Sequence, residues 1–200
     1  MNVATSKVKL EEVPQGRLGM WILIAGELVI FGGLIASYLL YRSRHETWTE
    51  MAEHTNLYLG ALNTFVLLTS SYFAVLAHKH ALRKDIKKVS QNIIATIVCA
   101  LIFLVVKGVE YSTEISHGFT LPGNDMLAQG ETVNTTYWAF YFLMTGLHGL
   151  HVIVGAIILL VIMLQVKKGK NFHRVELAGL YWHMVDIVWI FLFPILYIAH

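Results

Sequence analysis

A chain of 200 residues that is 56% hydrophobic and only 14% charged is too apolar for a soluble domain of its size. Composition therefore points to an all-α polytopic membrane protein. The lone cysteine, Cys99, lies in an apolar run, which excludes an intrachain disulfide and a thiolate metal site and reads as an inert buried thiol.

No cleavable signal peptide is expected, because the first apolar run is far longer than a signal core and lacks a small-residue cleavage pattern. A bilayer core about 30 Å thick needs about 20 apolar residues per helix. Five segments qualify, at about 18–40, 57–77, 91–112, 136–166 and 177–199. Backbone polar groups in lipid must be satisfied within the segment, so these are predicted to be helices. Residues 1–16 form an N-terminal segment and 17–200 one five-helix domain, with no internal repeat, low-complexity tract or linker.

Charge predicts the orientation. Twelve of the fifteen Lys and Arg fall on one side: Lys7, Lys9 and Arg17; Lys79, Arg83, Lys84, Lys87 and Lys88; Lys167, Lys168, Lys170 and Arg174. Only Arg42 and Arg44 lie on the other, and Lys107 is in the membrane. The positive-inside rule then places the N terminus in the cytoplasm and the C terminus outside. The basic loops read as a surface facing lipid headgroups rather than a nucleic-acid site.

Glu27 lies about ten residues into the first span, or about 15 Å deep. Its helical neighbours Leu23, Ile24, Ile30 and Phe31 are apolar, so either another helix supplies a partner or the carboxyl stays protonated. A proton-exchanging carboxyl and a neutral acid bonded across a helix interface both remain open. Lys107 and Glu110 are three apart, on one face, and read as a structural ion pair ahead of a transport site. His148 and His151 share a face of the fourth span, within Thr145–Gly155, whose Gly146, Gly149 and Gly155 allow a helix or a lipid to come close. His183 and Asp186 share a face of the fifth, Asp186 at about the depth of Glu27.

Haem needs axial ligands from opposite faces at matched depth, and His183 is offset from His148 and His151 by roughly 10 Å. Zinc wants three or four converging ligands. Hydrogen-bonded interior histidines are the better account, and no metal site is expected. The aromatics Tyr137, Trp138, Phe140, Tyr141, Phe142, Tyr181, Trp182 and Trp189 suit interfacial belts and helix packing, with Trp138, Trp182 and Trp189 as candidate lipid contacts. Asn63, Thr64, Thr69, Ser70 and Ser71 suit close contact between helices, and Pro194 frees the carbonyl of Ile190.

Taken together, these motifs resemble subunit III of haem–copper terminal oxidases, the cytochrome c oxidase subunit III family, in its short five-helix bacterial form. The resemblance spans about Gly16 to His200 in five ordered blocks: Gly26–Gly33, Asn63–Ser71, Glu110-Tyr111, Thr145–Gly155 and Tyr181–Trp189. It implies a non-redox subunit of a proton-pumping oxidase in the bacterial inner membrane, with haem and copper held by partner subunits. It implies packing beside subunit I, alongside subunits II and IV, and bound phospholipid, and it leaves open membership of a larger respiratory assembly. Glu27 would be the family's buried, carbodiimide-reactive glutamate, linked to proton uptake. Glu110, Lys107, His148, His151, His183 and Asp186 would form a structural polar network. Two departures stand out: the first two helices of long members are missing, and Lys107 replaces a common glutamine. A quinol oxidase subunit III or a nitric-oxide-reductase-associated homologue is the alternative. From other classes come a haem b cytochrome, which predicts a Soret band, and an independent proton transporter, which predicts flux without partners.

Overall fold

The computed structural model describes residues 15–45, 48, 55–116 and 132–198. Among them five helices, and no strand, make up the chain: α1 (Gln15–Arg42), α2 (Leu57–Leu82), α3 (Ile86–Ser116), α4 (Thr132–Lys167) and α5 (Arg174–Tyr197). All five are long and apolar enough to cross a membrane. Each is longer than its predicted span. The apolar stretch sets only the lipid-embedded part, and polar and basic residues such as Lys79 and Lys167 continue the helix beyond it. Thr132–Thr135, expected in a loop, belong to α4. Most of the predicted N-terminal segment and the end of the fifth span, residue 199, lie outside the described residues.

The helix ends follow local chemistry. Asn56 caps α2, its side-chain oxygen accepting from the N–H groups of Tyr58 and Leu59 at 3.1 and 3.2 Å. Arg83, Lys84 and Asp85 alone join α2 to α3. Lys84 turns the chain with φ 55°, and Asp85 accepts from the Lys88 N–H at 3.1 Å. Past α4, Gly169 takes φ 72° while its N–H and that of Lys170 close on the carbonyls of Val166 and Gln165.

Interhelical contacts set the directions. Thr64 meets Trp189 and Ser71 meets His183, so α2 runs against α5; Tyr137 meets the carbonyl of Leu196, so α4 does too. In α1, Arg17 pairs with Glu176 and Tyr38 donates to the carbonyl of Ile195, so α1 runs with α5. The start of α1, the α2–α3 turn and the α4–α5 loop thus share one end of the bundle, where the predicted basic side lies. α5 sits centrally, touching α1, α2 and α4, while α2 and α3 make the most extensive helix–helix contact. Only 6% of the apolar segment of α1 is buried, against 56% for α5.

Candidate functional site

Interior polar groups form three separate clusters. The first joins α1 to α4. Glu27 Oε2 lies 3.0 Å from His151 Nε2, with both side chains largely buried. The contact is close, but the ring does not point an N–H squarely at that oxygen, so proximity rather than an aligned hydrogen bond defines it. The other ring nitrogen, Nδ1, is 2.7 Å from the carbonyl of Leu147. A carbonyl can only accept, so Nδ1 carries a proton. Phe31 packs edge-on to His151 at 5.5 Å and shields the pair.

The second cluster ties α3, α4 and α5 together near the end opposite the basic one. Lys107 Nζ donates to Glu110 Oε2 at 3.1 Å, to Tyr141 Oη at 3.1 Å and to Tyr197 Oη at 2.7 Å. Both tyrosines also donate to Glu110 Oε1, at 2.7 and 2.5 Å. An ion pair this buried is tolerated because each charge is met by its opposite and by hydroxyls. Beside it, the hydroxyls of Tyr111 and Thr145 meet at 2.5 Å.

The third cluster lies between α2 and α5, where Ser71 Oγ is 2.6 Å from His183 Nδ1 and Asp186 is buried one turn further on. The residues expected as one network therefore divide among these three clusters, with His148 apart from all of them. His148 and His151, three apart, diverge: His151 reaches Glu27, while His148 is fully enclosed between Phe103 and Trp189 at 5.5 and 5.1 Å. A spacing of three leaves a rotation of about 60° between side chains, enough to send them to different neighbours. Among the described residues no three metal-ligating side chains converge.

Trp138, Trp182 and Trp189, expected at lipid, are instead core residues with 1%, 0% and 0% exposure. Trp182 and Trp189 donate to Ser70 Oγ and Thr64 Oγ1 at 2.9 and 3.0 Å. The small polar residues of α2 are what let indole rings in. Gly155 has the same use, since a Cβ there would meet Trp182 at 2.9 Å, whereas Gly149 has only Leu104 at 4.0 Å. Sequence reasoning missed the hydroxyls of Tyr141 and Tyr197, the Arg17–Glu176 tie and the buried Glu114. A polar residue at the inner face of an apolar helix was the available signal for Glu114.

Ordered motifs on five helices and a polar interior divided this way call for comparison with known proteins. The family model described as cytochrome c oxidase subunit III matches residues 8–200. The chain belongs to the cytochrome c oxidase subunit III family. It is 31% identical over 186 residues to the cytochrome c oxidase subunit 3 of Thermostichus vulcanus, covering 90% of this chain and 86% of that one. Against the cytochrome c oxidase subunit 3 of Corynebacterium diphtheriae the identity is 32% over 187 residues, with the same coverage. A quinol oxidase subunit 3 of Bacillus spizizenii is 28% identical, over 90% of this chain and 85% of its own. Family and helices together make this subunit a multi-pass membrane protein of an oxidoreductase complex.

Proposed function

We propose that this subunit III is a non-redox support for a proton-pumping respiratory oxidase of the bacterial inner membrane, with haem and copper carried by its partners. The observation that carries the reading is the state of α1. Its outer face exposes Trp21, Ile22, Leu28 and Val29, while ionisable side chains tie its other face to the bundle. A helix so little buried by its own chain suits burial against a neighbouring subunit, for which subunit I is the proposed partner, with subunits II and IV completing the complex and a larger respiratory assembly around it. Glu27, set against His151 between α1 and α4, places a carboxyl in the membrane interior beside a second titratable side chain, an arrangement that suits a carboxyl linked to proton uptake. The shared basic end supports a cytoplasmic N terminus and an outer C terminus.

Phospholipid fits a groove of about 720 Å³ between α1, α4 and α5, lined by Met20, Ile158 and Ile162, with Arg17, His173 and Arg174 at its rim. Apolar walls would take acyl chains and the basic rim a phosphate.

The test is to purify the complex through a tag on this chain in mild detergent. Haem a or haem o with copper-containing subunits is the expected company. Glu27→Ala and Glu27→Gln should shorten the turnover lifetime or lower proton pumping. A chain that purifies alone, or variants that match the parent in assembly, lifetime and pumping, would sink the proposal. The quinol oxidase relative keeps a quinol donor as the second reading. Copurification of a copper-containing, cytochrome-docking subunit decides between donors.

A further inference from the structure

The seam between α2 and α5 carries a polar track that takes no part in holding α1 by Glu27. Because these helices run antiparallel, His78 comes level with Glu176 towards the basic end and, two turns further in, Ser71 with His183, with Asp186 one turn beyond. His78, Glu176 and His183 are the polar residues of one groove of about 250 Å³ whose remaining wall is apolar. At about 30 Å³ per molecule it has room for several waters. Where the groove ends, His183 Nδ1 meets Ser71 Oγ at 2.6 Å. The Ser71 hydroxyl also stands beside Asp186. Its aligned contact is with His183, however, so neither Asp186 oxygen receives an aligned hydrogen bond from the described residues, although the side chain is 3% exposed.

Asp186 lies ten residues beyond Glu176, about 15 Å along the helix. Beyond it the seam is shut by Trp189 on Thr64 and by Leu67 and Leu192, both essentially inaccessible. Glu27 with His151, Lys107 with Glu110, and His148 between two aromatic rings are engaged elsewhere, while Arg17 pairs with Glu176 on the groove itself. From α3 the Cys99 thiol lies near enough to Asp186 for the two to interact electrostatically. A permanently ionised carboxylate without a counter-charge is strongly disfavoured at such a place.

We infer that Asp186 is a proton-binding site served from the basic end of the bundle alone, through water in this groove and a His183–Ser71 relay. A proton from groove water enters at His183 Nε2. The ring passes its Nδ1 proton to the Ser71 hydroxyl, whose own proton goes to Asp186, turning carboxylate into carboxylic acid. Release retraces the same steps. Because the track is blind, the site stores a proton and conducts none across the membrane. The inference requires the chain to lie in a membrane and does not depend on which oxidase it joins.

The test is infrared spectroscopy of the complex purified through a tag on this chain. An acid-minus-alkaline difference spectrum should contain a protonated carboxyl stretch that shifts in D₂O. Asp186→Asn should remove it and Asp186→Glu should displace it. His183→Phe should slow the D₂O shift about tenfold or more, in line with the usual worth of a positioned proton-transfer group. Should Asp186→Asn fail to assemble, the displaced band in Asp186→Glu carries the assignment. The absence of any such band, or an exchange rate indifferent to His183→Phe, would overturn the inference. A vibrational readout separates this result from the oxidase assignment, which rests on what copurifies.

Discussion

The α3–α4–α5 cluster and the α1 attachment answer the same problem, charge in hydrocarbon, at opposite extremes. Lys107 and Glu110 meet each other and two tyrosine hydroxyls inside a buried, aromatic-walled space. Along α1 a few polar ties hold a helix whose surface is otherwise largely bare. The first region is finished within the chain, and the second is built to be completed from outside. Buried polar groups thus fix geometry in one place and leave room for a partner in the other.

Breaking the finished region should have the largest effect. Lys107→Ala leaves Glu110 buried with no counter-charge and is expected to cost about 3–5 kcal/mol, whereas Lys107→Met with Glu110→Leu should restore most of it. Thermal unfolding of the detergent-purified complex measures both. Equal losses in the single and double variants would contradict the network as described. Next comes crowding of α4 against α5: Gly155→Ala must displace the Trp182 ring and is expected to cost about 1–3 kcal/mol, while Gly149→Ala should be nearly neutral. On the α1 side, Glu27→Ala removes the carboxyl from His151 and should loosen α1 by roughly 1–2 kcal/mol, with Glu27→Gln milder. Spin-label distances between α1 and α4 would widen or broaden if this is right and stay put if α1 is held by other means. Smallest of all, Arg17→Ala breaks an exposed pair with Glu176 and should change stability by less than about 1 kcal/mol.

Much of this was legible beforehand, and the reasons differ by residue. Five spans followed from apolar length alone. Lys107 and Glu110 could be paired on paper because a spacing of three is local to one helix. Tyr141 and Tyr197 could not, since their meeting depends on how α4 and α5 rotate against α3. Glu27 visibly lacked a partner on its own helix, but nothing in α1 names His151. The tryptophans misled for a physical reason: an indole with a polar N–H suits a membrane interface, yet Ser70 and Thr64 satisfy it equally well in the core. The alignment of His78, Glu176, His183 and Ser71 needed the antiparallel register of two helices far apart in sequence.

The ties of α1 also bear on how the protein is made. Its partners Glu176 and Ile195 lie 159 and 157 residues downstream, whereas three residues connect α2 to α3. The α2–α3 hairpin can close as soon as it is synthesised, with little loop entropy to overcome. Made well before its partners, α1 must wait in the lipid until α4 brings His151 and α5 brings Glu176 and Ile195. Subunit assembly that begins on the nascent chain would therefore meet α1 while its inward face is still unclaimed.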